Sequence, residues 1–223
     1  LEWSYAMQWS NGLLDVFANY IPAVVGGSSA EPVKESYEMY RIARQSGTDR
    51  FPYYWGPLPF TSGPAYYGAL AMFLFLLTMF TLKSNLRWWA LTSFILITLM
   101  SMGKNFELLN RLLFDYFPLY NKFRATNSAM SILAVLVPVF GVFGLNQFLN
   151  KKKYAQKDIQ ALLISGGILA GLSLIFAVFG PSLFDFSNQA DQRYAQMGLD
   201  LDLLREDRRT MMRNDALRSM VFV

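Results

Sequence analysis

Lys83-Ser-Asn-Leu-Arg87 and Lys151-Lys-Lys153 are two short basic turns, each set between long apolar runs. The runs Tyr66–Leu82, Leu86–Met102, Ala129–Leu149 and Ala161–Gly180 hold about 17–21 residues apiece, with no charge except Arg87 at one edge. A helix rising 1.5 Å per residue needs about 20 residues to cross about 30 Å of hydrocarbon, so all four read as transmembrane helices. The two shortest carry Tyr66, Tyr67, Trp88 and Trp89 at their ends, residues that favour the headgroup level. Short cytoplasmic loops are enriched in Lys and Arg, which places both basic turns inside. The first run then goes out-to-in, the second in-to-out, the third out-to-in and the fourth in-to-out. The expected fold is an all-α polytopic membrane protein with four complete transmembrane helices over 66–180. Two large outer loops, 1–65 and 103–128, an outer charged helical segment at 181–215, and the start of a fifth span at 216–223 complete it.

Composition narrows the function classes. Charged residues make up 16% of the chain, hydrophobic ones 53% and aromatic ones 16%. An ordinary soluble domain carries about 25% charged residues, so the balance fits a membrane class. The net charge of +4 is accounted for by the inner turns and gives no argument for nucleic acid as a partner. With no Cys there is neither a disulfide nor a thiolate metal site, and with no His there is no imidazole base or Ser-His triad. Acid–base work would fall to Asp, Glu, Lys or Tyr. No carboxylate cluster has metal-ligand spacing, and no cofactor is expected. The opening Leu1-Glu-Trp-Ser lacks Met and a signal pattern, while Met220-Val-Phe-Val reads as the first turn of a further span. The expectation is an internal piece of a longer polytopic protein.

In residues 1–65, Trp3, Trp9, Tyr20, Tyr53, Tyr54 and Trp55 alternate with Pro and Gly, a pattern of turns suited to a layer on the outer interface. Within it, Glu31–Gln45 has a helical look, with Pro32 in the first turn. In 103–128, Phe106, Leu109, Leu112, Leu113 and Phe117 recur at helical spacing, predicting an amphipathic interfacial or re-entrant helix ended by Pro118. Pro138, Gly141 and Gly144 mark the third span, and Gly167-x-x-x-Gly171 gives the fourth a small-residue face for close helix packing. From about Leu199 the mixed charges predict a solvated helix running into the next span, with Asp215 and Arg218 placed either to pair on one face or to line a polar cavity at the membrane edge. Asp200-Leu-Asp202 belongs to that solvated face, since residues two apart point to different sides of a helix.

The chemistry to be sought on the outer side centres on Lys104, Arg111, Lys122 and Arg124, four cations in a loop that returns to the membrane at both ends. Cations at the phosphate level bind a lipid-linked phosphate, Arg with a bidentate fork and Lys as a point charge. The alternative is membrane anchoring by snorkelling, or internal pairing with Glu107 and Asp115. Asp15 and Asp115 read as caps or salt-bridge partners before they read as bases.

Trp9-Ser-Asn-Gly12, Ile21-Pro22 with Gly26-Gly-Ser-Ser29, Gly56-Pro-Leu-Pro-Phe-Thr-Ser-Gly-Pro64 with Tyr67-Gly68, and Gly103-Lys-Asn-Phe106 with Phe114-Asp-Tyr-Phe-Pro-Leu-Tyr-Asn-Lys-Phe-Arg124 carry a resemblance. Together they resemble the YfhO-like family of bacterial integral membrane proteins, in the form of its Bacteroidetes members. The resemblance implies a protein similar to GT-C-type glycosyltransferases, moving a sugar from a polyprenyl-phosphate carrier to an envelope glycan acceptor outside the cytoplasmic membrane. It implies that the catalytic carboxylate precedes Leu1, so no catalytic residue is assigned. It places Lys104, Asn105, Asp115, Tyr116, Asn121, Lys122 and Arg124 as the residues that would meet the carrier phosphate or sugar. Membrane lipid is the further expected partner. A transporter or lipid-sugar flippase, or a non-enzymatic envelope scaffold, stands as the alternative function.

Overall fold

In the computed structural model, which describes residues 1–223, the chain begins with two short helices, α1 (Trp3–Ala6) and α2 (Leu13–Phe17). The stretch expected to be one helix over 31–45 divides. Glu31–Pro32 forms strand β1, paired antiparallel with β2 (Arg50–Phe51), and only α3 (Met39–Ser46) is helical. A two-stranded sheet is thus added to the otherwise helical fold. The reason lies far along the chain: Asp207 accepts the N–H groups of Glu38 (2.7 Å) and Met39 (3.1 Å), and so sets where α3 begins.

Four apolar helices follow the expected runs: α4 (Ala69–Thr81), α5 (Leu86–Ser101), then, after α6 (Glu107–Tyr116), α7 (Met130–Leu149) and α8 (Gln156–Val178). Two stretches, Thr126–Leu149 and Gln156–Val178, are long and apolar enough to cross a membrane. Leu86–Ser101 with Gly103–Tyr116 adds a third only if the pair, bent by 119°, counts as one broken span. At 13 residues α4 is shorter than its apolar run. Residues 66–68 leave the helix to bind the aromatic layer: the Tyr67 N–H donates to the Asn19 carbonyl, and the Ala69 N–H to Tyr66 Oη. Gly68, at φ +106°, makes the corner.

Helix directions follow from the contacts between them. Tyr67 Oη donates to the Met130 carbonyl (2.8 Å), and Thr78 Oγ1 to the Phe140 carbonyl (3.0 Å), so α4 and α7 run parallel. Both basic turns therefore lie at one end of the bundle. At the other end the Asn11 N–H donates to the carbonyl of Ser101, where α5 finishes. Between α4, α5 and α7 lies a dry core of Phe75, Ala90, Leu133, Leu136 and Val137. Outward, Ile132, Val135, Val139 and Val142 of α7 are each more than half exposed, an apolar face of the kind lipid covers.

The third-span glycines are buried packing positions: a Cβ on Gly144 would fall 2.6 Å from Thr78 Cβ. Gly167 and Gly171 meet nothing within 4 Å, so the small-residue face expected to pack is unpartnered within this chain. After α9 (Gly180–Leu183) and α10 (Asp191–Gln196), helix α11 (Leu201–Val221) runs antiparallel to α8, with Met212 against Gly180 and Val223 beside Gly166. Asp200 caps it through the N–H groups of Asp202 and Leu203. Asp215 and Arg218 pair as their spacing predicts. The helix is not solvated all round, however. Leu204, Asp207, Arg208, Met211 and Met212 are buried, because α11 packs on both α8 and the aromatic layer.

Candidate functional site

The seven candidate residues separate into two places. Gly103, at φ +47°, turns the chain sharply after α5, where a side chain would collide with Ser10 and Thr126. A 3-10 turn over Gly103–Phe106 follows. Within it the Lys104 N–H donates to Ser10 Oγ (3.0 Å), and Asn105 Nδ2 donates to the Asn11 carbonyl (2.8 Å). Asn105 is thereby a tether between loops, while Lys104 lines a cleft.

The other five lie along an exposed edge. Asp115 pairs with Arg111 (3.2 Å), one turn back on α6, in a solvent-exposed bridge of the kind worth about 0.3–0.5 kcal/mol. Arg111 also lies over the Trp3 ring (5.0 Å), and Arg124 over Tyr5 (4.8 Å). Tyr116 is 82% exposed. Asn121 and Lys122 belong to the 3-10 turn Tyr120–Lys122, which is fastened by Tyr120 Oη donating to the buried Asn110 (2.6 Å). Beside these cations Phe117, Leu119 and Phe123 are all mostly exposed.

The cleft that Lys104 lines has a volume of about 880 Å³. Its walls are the 8–14 loop, the aromatic and proline stretch 52–59, and the 187–194 segment. Two buried polar contacts hold these walls. Tyr54 Oη donates to Asp15 Oδ1 (2.9 Å), whose other oxygen accepts the Gly12 N–H (2.7 Å). Burial pushes the Asp15 carboxyl above its usual range, against the pull of those two donors. Burial and the neighbouring Asp15 carboxylate push the Tyr54 phenol upward. The second contact is Arg208 of α11, fully buried, forked onto Asp191 (2.8 and 2.9 Å) and donating to the carbonyls of Pro52, Tyr53 and Phe186. It joins the 52–54 wall to the 186–191 wall.

A smaller polar hollow of about 70 Å³, lined by Asn11, Asp15, Thr61 and Asn127, lies behind Tyr54 and Leu58, which border both spaces. A third, apolar hollow of about 500 Å³ fills the elbow of α5 and α6, with Leu96, Leu99, Phe106 and Leu108 among its lining. Lys104 and Phe106, two residues apart, thus open onto spaces of opposite character. No three metal-ligating side chains gather anywhere in the chain.

Sequence reasoning placed the aromatic stretch and Lys104 on one side, but missed Arg193, Asn188 and Tyr194 in the cleft and Arg208 beneath it. Only the mixed charge of 191–218 hinted at the two arginines, and the 52–54 wall to which Asn188 and Arg208 bind lies 134 and 155 positions away for Tyr54 and Tyr53 respectively. Set against protein-family models, curated proteins and solved structures, the chain matches none.

Proposed function

We propose that this chain is the membrane-embedded part of a polyprenyl-phosphate-dependent, glycosyltransferase-like protein acting on envelope glycans at the outer face of the bacterial cytoplasmic membrane. The observation that carries this reading is the position of Lys104, on a large cleft of mixed polar and apolar lining at the end of the bundle opposite both basic turns. In this reading α4, α5, α7 and α8 are four crossings. The two shorter ones span with local thinning of the bilayer and anchoring by the exposed Tyr66, Trp88 and Trp89. The basic turns face the cytoplasm and the cleft faces outward.

Lys122 and Arg124, beside exposed Phe117, Leu119 and Phe123, lie at the headgroup level and hold the outer edge against lipid. Lys104 meets the carrier phosphate and stabilises the negative charge that grows on it as the sugar departs. A carboxylate activates the acceptor hydroxyl, and no residue of this chain is assigned that step. Against a transport pathway, the middles of α4, α5, α7 and α8 hold no charged side chain, where such pathways place one.

Lys104→Gln should lower transfer about a hundredfold while leaving membrane insertion intact. The first measurement is lipid mass spectrometry on cells with and without the gene. Accumulated polyprenyl-phosphate sugar and loss of one envelope glycan are expected on deletion. Unchanged carrier and glycans would overturn this reading in favour of an envelope scaffold or an unrelated transporter.

A further inference from the structure

We propose that the saccharide handled in this cleft is itself negatively charged, and that Arg193 reads its charge. Of the 20 residues lining the cleft, none is Asp or Glu, while two are cations, Lys104 and Arg193. Neither takes part in any of the chain's ion pairs. Two neighbouring carboxylates, Asp191 and Asp15, are already committed. Asp191, two positions before Arg193, has both oxygens on Arg208, and Asp15 is held behind Tyr54 by Gly12 and Tyr54.

A half-enclosed space with two uncompensated cations and no anion favours an anionic occupant. One cation suffices for a carrier phosphate, and the second is left for a charge on the sugar. Arg193 is suited to that task because its planar fork takes a carboxylate or phosphate through two parallel hydrogen bonds.

The rest of the lining fits a sugar better than a bare ion. Gln8, Gln189 and the Tyr194 hydroxyl offer donors and acceptors that no other part of the chain uses, matching a ring of hydroxyl groups. Trp55 and Pro57 give flat apolar surface for the ring's C–H face. The assignment to a saccharide rests in part on the glycosyl-transfer reading; the negative charge rests on the lining alone.

The test is direct binding by the protein in nanodiscs of zwitterionic lipid. The probes are glucuronate, glucose 6-phosphate, glucose, inorganic phosphate and oligoglutamate. At least one of the two acidic sugars should bind about tenfold or more tightly than both glucose and phosphate, and whichever does names the anionic group. Arg193→Gln should abolish that preference without moving the melting temperature, and Arg193→Lys should keep part of it. Equal binding of glucose, equal binding of bare phosphate, tighter binding of oligoglutamate, no binding at all, or a preference that survives Arg193→Gln would each overturn the proposal. If the charge preference holds but cells lacking the gene show unchanged carrier and glycans, the transfer reading fails and the anion site stands. If glycan transfer is confirmed but the preference is absent, the charge inference alone fails.

Discussion

Arg208 shows how much one side chain in a charge-rich helix can carry. Its guanidinium is wholly buried, and its hydrogen bonds to Asp191 and to carbonyls on both cleft walls satisfy the fork. Replacing it with Met would leave the Asp191 carboxylate buried without its partner, a loss of about 3–5 kcal/mol. Chemical denaturation should show that loss, with part recovered when Asp191→Leu is added. Asp15 makes a different prediction. Burial raises its carboxyl pKa in the fold, so the folded state holds the proton after the unfolded chain, at about 3.9, has released it. Stability contributed at low pH is therefore lost as pH rises from the unfolded towards the folded value. Relative to Asp15→Asn, which stays neutral throughout, the wild type should lose melting temperature as pH rises from acid to neutral. Parallel curves would mean that Asp15 ionises normally.

Packing between helices separates glycines that look alike in the sequence. Gly144 presses on Thr78 of α4, so Gly144→Ala forces two parallel helices apart and should cost about 1–3 kcal/mol. Gly167→Ala meets nothing and should cost nothing, since Ala favours the helix by up to about 1 kcal/mol. Thermal melting of the purified pair checks both. Helix α11 teaches the same lesson. Glu206 is exposed and the flanking Arg205 and Arg209 are half-buried, with Arg209 paired to Glu206, while 207 and 208 between them are buried. Alternation of charge along a helix thus did not reveal which turn faced the protein.

The bundle's two ends differ in chemistry, and the threading we propose rests on that difference. One holds the two Lys- and Arg-rich turns; the other holds the aromatic layer, the cleft and the exposed edge 116–124. Because the chain has no Cys, single cysteines at Tyr120 and Lys152 report position without background. Impermeant maleimide should label the first from outside intact cells and the second only after the membrane is opened. The reverse pattern would put the cleft in the cytoplasm and overturn the proposed use of an outward-facing lipid carrier.

Long uncharged runs and the turns between them are local features, so hydrophobic patterning alone located α4, α5, α7 and α8, and the amphipathic helix before Pro118 with them. The Asp215–Arg218 pair was legible for the same reason, since its partners lie within one helical turn, whereas Asp200, read as part of a solvated face, is the helix cap. The seven candidate residues, adjacent in the loop, were not adjacent in purpose: Lys104 faces the cleft, Asn105 ties loops, and the rest lie on an open edge. Cleft walls, the start of α3 and the burial of Arg208 depend on contacts across about 150 to 170 positions. Such contacts form only when helix packing brings distant segments together, because burying a guanidinium is tolerable only where every donor finds an acceptor.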